Sequence, residues 1–129
     1  MMRCLLQLMV FPLWCTLVYC CDPRCYCYSK NSICGNKIVS QSIDSIPTDF
    51  PSNTNAIYLY NQLLTNLSSF DCNLYPNITQ LSVSTSLIEE VNYTDFHGCS
   101  FLITLQLQNN NITEIKNTTF GEIPSLRQL

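Results

Sequence analysis

The chain has 129 residues, room for about one domain. Six Lys/Arg against nine Asp/Glu give a net charge of −3 and leave no basic patch, which argues against nucleic acid as a partner. Only Gly35, Gly98 and Gly121 are present, so there is no Gly-rich loop to cradle a phosphate.

Residues 1–20 read as a signal peptide. Arg3 is the only charge before Asp22, and Cys4 to Cys20 is an apolar run broken only by Gln7, Pro12 and Thr16. Val18 and Cys20 suit positions −3 and −1, which places cleavage after Cys20. A membrane anchor is the competing reading, but the run falls short of the roughly 20 apolar residues that a span prefers. No second run of spanning length follows, so no membrane insertion is expected within residues 21–129. Without the leader, five Lys/Arg face nine Asp/Glu, a net of −4.

Six cysteines then remain: Cys21, Cys25, Cys27, Cys34, Cys72 and Cys99. An even set behind a signal peptide reads as a disulfide framework in an extracellular, oxidising setting. The first four are spaced Cys-x(3)-Cys-x-Cys-x(6)-Cys. Zinc would want paired Cys-x(2)-Cys knuckles and reduced thiolates, so two disulfides stapling a short hairpin are expected, and no metal or other cofactor. Spacing alone leaves three pairings open. Residues 21–52 thus form a cysteine-rich cap.

Beyond the cap a 24-residue echo begins. Ile57, Leu81, Leu105 and Leu129 fall 24 apart, followed by Leu59, Val83 and Leu107 at +2, by Leu64, Ile88 and Ile112 at +7, and by Leu67, Val91 and Ile115 at +10. Such a period marks a stacked repeat. Alternation over Ile57-x-Leu59, Leu81-x-Val83 and Leu105-x-Leu107 predicts one short strand per coil with one buried face, and stacked strands make a parallel sheet. The +7 and +10 residues fill the interior, Phe96 and Phe120 at +15 plug the convex side, and Ile78, Leu102 and Leu126 point inward before each strand. A first coil has no neighbour, and the cap covers its open apolar end.

The cysteine spacing, then Ile46-Pro47-Thr48-Asp49-Phe50-Pro51, then Ala56-Ile57-Tyr58-Leu59-Tyr60, resemble the N-terminal cap and first repeat of extracellular leucine-rich-repeat proteins, a group that includes Slit proteins, Nogo receptors and lamprey variable lymphocyte receptors. The resemblance implies an α/β leucine-rich-repeat solenoid, with parallel strands on the concave side and an irregular or short-helical convex side. It also implies first-to-third and second-to-fourth pairing in the cap, that is Cys21–Cys27 and Cys25–Cys34. The family carries an inward asparagine at +5. Only Asn110 matches it; Gln62 and Ser86 stand in the other coils, so looser first and second turns, or ordered water, are expected there. Residues 53–129 hold three repeats and the start of a fourth at Leu126-Arg127-Gln128-Leu129, which reads as an N-terminal fragment or a truncated product.

Cys72 stands at +15 of coil one, where the other coils carry phenylalanine, and Cys99 at +18 of coil two. Both positions are inward, so the pair is either two packed thiols or a staple between coils, and a secreted chain favours the staple.

The outward strand residues are the candidate binding surface: Tyr58, Tyr60 and Asn61; Ser82, Ser84 and Thr85; Gln106, Gln108 and Asn109. The set is uncharged, and tyrosine with small polar residues suits recognition of a protein ligand. Five sequons, at Asn66, Asn77, Asn92, Asn111 and Asn117, all avoid the strand positions, the distribution of a glycosylated flank beside a bare face. His97 stands alone in a convex segment beside Asp95, and Glu89 and Glu90 are adjacent and solvated, so no catalytic constellation is expected. The sequence therefore reads as an extracellular protein-binding module for recognition, adhesion or receptor signalling, with a matrix glycoprotein or the start of a receptor ectodomain as alternatives.

Overall fold

A computed structural model describes residues 24–34 and 42–129. The expected signal peptide and Cys21 lie outside the described residues. Among the described residues five strands form one sheet in the order of the chain: β1 (Cys25–Tyr28), β2 (Asn31–Cys34), β3 (Ala56–Tyr60), β4 (Gln80–Ser84) and β5 (Thr104–Gln106). β1 and β2 are an antiparallel hairpin, and every later pairing is parallel. The architecture is a leucine-rich-repeat solenoid behind a disulfide-bonded hairpin.

The 24-residue echo is the register of this sheet. Ile57 pairs with Leu81 and Leu81 with Leu105, so equivalent residues of successive coils lie side by side. The same step continues outside the strands. Thr79 N donates to Asn55 O and Ile103 N to Thr79 O, each at 2.8 Å, and Arg127 N to Ile103 O at 2.9 Å. The chain thereby answers its strand-flanking backbone groups with the neighbouring coil. Ile57, Leu59, Leu64, Leu67, Leu81, Val83, Ile88, Leu102 and Leu105 are fully buried. Burying one such side chain stabilises the fold by roughly 1.5–3 kcal/mol. Ile115 departs from the pattern. It is 44% exposed where its equivalents Leu67 and Val91 are buried, because only the isolated bridge Thr104–Gln128 follows its coil.

The convex side carries two 3₁₀ turns, Cys72–Leu74 and Tyr93–Phe96. Phe96 and Phe120 meet as rings 5.9 Å apart, one from each of two coils. In coil one the phenylalanine position holds Cys72, which is bonded to Cys99 of the next coil with a Cα–Cα distance of 5.1 Å. In the cap Cys25 is bonded to Cys34 across the hairpin. Cys27 is disulfide-bonded as well. Ser32 is fully buried beneath this hairpin, its hydroxyl 3.4 Å from Thr54 Oγ1, so the polar atom under the cap is paired.

Tyr75, which the repeat pattern does not single out, closes the cap-side end of the convex face. It is 1% exposed, its ring lies 6.0 Å from that of Phe50, and its hydroxyl donates to Pro47 O at 3.2 Å. Burial, with Asp49 and Asp71 nearby, pushes this hydroxyl from 10.0 up to about 12. A pKa raised on folding keeps its full stabilisation below the unfolded value and loses it as pH climbs through the folded value. Between pH 10 and 12 the protein should therefore lose about 2 kcal/mol through this group. Urea unfolding across that range should show the loss in the wild type and its absence in Tyr75→Phe. At neutral pH that variant should cost about 1 kcal/mol for the stranded Pro47 carbonyl.

Candidate functional site

The concave surface is built by strand alternation. With Ile57 and Leu59 inward, Tyr58 and Tyr60 stand outward on β3, their rings stacked at 6.2 Å with planes 20° apart. Register places Ser82 between Tyr58 and Gln106. Tyr60 faces Ser84 in the same way.

Coil two departs from the sequence expectation. Ser82 and Ser84 were expected as exposed contact residues, yet they are 0% and 6% exposed. A serine flanked by larger side chains about 4.8 Å away on adjacent strands is overshadowed by them. The concave face is therefore a tyrosine pair, serines covered by their neighbours, and then Gln106 and Gln108. The Ser82 hydroxyl is buried with no hydrogen-bond partner among the described residues. Gln108 is exposed and lies just past the end of β5, and Gln106 is half-buried.

Asn61, Thr85 and Asn109 share one backbone conformation. Their φ values are 56°, 54° and 58°, and all three are exposed at the corner where the chain leaves the face. Asparagine tolerates this left-handed region; a β-branched threonine does not. Backbone bonds tie the corners to the next coil: Asn61 N donates to Ser84 O and Thr85 N to Gln108 O, each at 3.1 Å.

The +5 side chains lie directly beneath these corners. Asn110 Nδ2 donates to Val83 O and Leu107 O at 2.8 Å each, and its Oδ1 accepts from Ile88 N at 3.2 Å. The expected looseness of coil one is not found. Gln62 is 3% exposed; its Oε1 accepts from Ile43 N at 2.8 Å and its Nε2 donates to Tyr60 O at 2.5 Å. One extra methylene lets the longer amide reach the same kind of partners. Ser86 does less, accepting from Gln62 N at 3.3 Å and donating to Ser84 O at 3.5 Å.

All five sequon asparagines lie outside the strands. Asn66, Asn77, Asn111 and Asn117 are exposed and Asn92 is half-buried. Asn92 opens the second 3₁₀ turn, where its backbone N–H donates to Asp95 Oδ2 at 2.8 Å. Asp95 is thus a capping residue. Burial raises its carboxyl above the ordinary 3.8, with repulsion from Glu90 adding to the rise. His97 is 80% exposed, 3.8 Å from Glu122. An open recess of about 440 Å³ on the convex side is lined by Tyr93, Thr118, Gly121 and Glu122. Among the described residues no group of three or more His, Cys, Asp or Glu could hold a metal, and no helix is long and apolar enough to cross a membrane.

Residues 76–129 match the family described as leucine rich repeat. The chain is 26% identical over 106 residues to leucine-rich-repeat-containing protein 3 of Danio rerio, a match that covers 81% of this chain and 40% of that protein. It is 33% identical over 85 residues to leucine-rich-repeat-containing G-protein coupled receptor 5 of Homo sapiens, covering 62% of this chain and 9% of the receptor. The receptor of the same name from Rattus norvegicus gives 33% over 87 residues, again 9% of its length. The chain thus spans well under half of the relatives it matches.

Two stability tests follow from the face. Thr85→Asn should stabilise the protein by about 1 kcal/mol by relieving the left-handed threonine. Ser82→Ala should leave stability unchanged or raise it by about 1 kcal/mol, because it removes a buried hydroxyl that has no partner. Calorimetric unfolding measures both. A clear loss of stability in either variant would contradict the assignment.

Proposed function

We propose that the chain, a member of the leucine-rich-repeat family, is an extracellular protein-binding module that recognises its ligand through the concave face. The observation that carries this reading is the stacked Tyr58–Tyr60 pair beside small, covered serines, on a face whose outward strand positions carry no charge. Two rigid aromatic rings offer a large contact area at low entropic cost. Gln106, Gln108, Asn61, Asn109 and Thr85 supply neutral hydrogen-bonding groups beside the tyrosines. The ligand that this face suits is a neutral protein surface.

The extracellular assignment adds a leader over residues 1–20, a cap over 21–52, repeats over 53–129, and glycans at Asn66, Asn77, Asn92, Asn111 and Asn117. The cap and inter-coil disulfides support an oxidising setting. A role within a receptor ectodomain is the second reading, favoured by the 33% identity to a leucine-rich-repeat-containing G-protein coupled receptor.

Binding of the secreted chain to an array of cell-surface ectodomains, followed by titration of each hit, tests the reading. Replacing both tyrosines in Tyr58→Ala/Tyr60→Ala should weaken a true ligand by about tenfold or more, as loss of aromatic hot spots does. Glu122→Ala on the convex side should leave the affinity unchanged. A ligand that tolerates the double tyrosine change but is lost on Glu122→Ala would place the interface on the other side.

A further inference from the structure

We propose that the N-linked glycans of this chain seat their core sugars on exposed apolar side chains of the neighbouring coil, with the Asn117 glycan lying over Tyr93. This rests on the glycoprotein reading above and adds to it where the glycans lie.

Among the large apolar side chains that stand open to water outside the concave face are Tyr93 at 56%, Phe101 at 65% and Leu87 at 41% exposure, alongside others such as Leu63 and Ile115. The first three each occupy the position of a sequon asparagine one 24-residue period away. Tyr93 corresponds to Asn117, Leu87 to Asn111 and Phe101 to Asn77. Local geometry brings these positions together. Asn111 N donates to Ile88 O at 2.8 Å, directly beside Leu87. Two residues beyond Phe101 and Asn77, Ile103 N donates to Thr79 O at 2.8 Å. Three residues beyond Tyr93 and Asn117, the Phe96 and Phe120 rings pack 5.9 Å apart.

The Asn117 case is the most developed. Tyr93 and Thr118 line the same convex recess of about 440 Å³, and Thr118 is the middle residue of the Asn117 sequon. N-acetylglucosamine is chemically suited to such a seat. One face of its ring presents C–H groups and its acetamide ends in a methyl, so it can cover an aromatic ring while its hydroxyls stay in water. Glu122, on the wall of the same recess, offers a carboxylate acceptor for the acetamide N–H or a hydroxyl. Covering Tyr93 would remove apolar surface from water, the same gain that drives packing inside the coil.

Asn66 and Asn92 provide the contrast. One period from Asn66 stand Ser42 and Glu90, and one period from Asn92 stand Ser68 and Lys116. Their glycans have no apolar seat and extend into solvent.

The full chain, secreted from a glycosylating eukaryotic host and trimmed to a single N-acetylglucosamine per site, tests this. Peptide mapping by mass first reports which sequons are occupied. With Asn117 occupied, Asn117→Gln should lower the melting temperature by about 3–6 °C in the wild-type background and not in the Tyr93→Ser background. Asn66→Gln should cause no shift in either. Ring-current displacement of the Asn117 acetamide methyl resonance, lost in Tyr93→Ser, gives a readout independent of stability. An occupied Asn117 without that displacement and with equal shifts in both backgrounds overturns the seating alone. An empty Asn117 with other sequons occupied also overturns it and spares the glycoprotein reading. A chain with every sequon empty overturns both.

Discussion

When the chain leaves a strand and turns toward the convex side, it carries backbone groups into a space that water does not reach, and the side chain five residues after the strand start must answer them. Asn110 does this for coil three by joining Val83 O and Ile88 N of the preceding coil to Leu107 O of its own. Gln62 does it for coil one by reaching back to Ile43 N in the cap-side segment. Ser86 does it in part. An unanswered buried group costs about 1–3 kcal/mol, so these three side chains hold the coils in register as much as the leucines do. A leucine tolerates small shifts in its packing, whereas an amide clamped between two coils does not.

That register explains what happens at the two ends of coil one. On its convex side the phenylalanine position holds Cys72, and a covalent bond to Cys99 replaces the ring contact that Phe96 and Phe120 make one coil later. Nearer the cap the ring contact is between Tyr75 and Phe50, with the tyrosine hydroxyl tied to Pro47 O. A disulfide contributes typically 2–4 kcal/mol, and a buried aromatic pair adds its own packing. The coil that borders the cap, where the repeat pattern is broken, is thus cross-linked and plugged on the side where its neighbours rely on ring packing.

What could be read from the sequence follows the same division. Properties that depend on one residue and its phase were legible: the strand positions, the inward leucines, the 24-residue pairing and the facing of Cys72 and Cys99 all follow from counting. Properties that depend on the size or reach of a neighbour were not. Ser82 has an outward phase, and its burial is set by Tyr58 and Gln106 on the adjacent strands. Gln62 looked like a defect because asparagine is the usual residue, and only the backbone path shows that its longer amide finds equivalent partners. Tyr75 shares its position with Cys99 and Ile123, so no repeated residue type marked it; the one available signal was an aromatic 25 residues after Phe50 in a coil that lacks the repeat phenylalanine. Thr85 could have been found, since a threonine between asparagines 24 residues away on either side points to a shared backbone strain.

The difference between the two surfaces has one geometric origin. On the sheet side neighbouring coils are held about 4.8 Å apart by backbone bonds, so side chains crowd and a small residue between large ones disappears from the surface. Curvature of the solenoid spreads the coils on the opposite side. There Tyr93 and Phe101 remain more than half exposed although each has a neighbour one period away. A bulky group attached to an outward strand residue would collide with the side chains on both flanking strands, whereas one attached to the convex or flanking segments has room. Every sequon in the chain falls in the roomier part. The crowding that sinks Ser82 and the spacing that exposes Tyr93 are thus two consequences of stacking coils on a sheet that lies along one side.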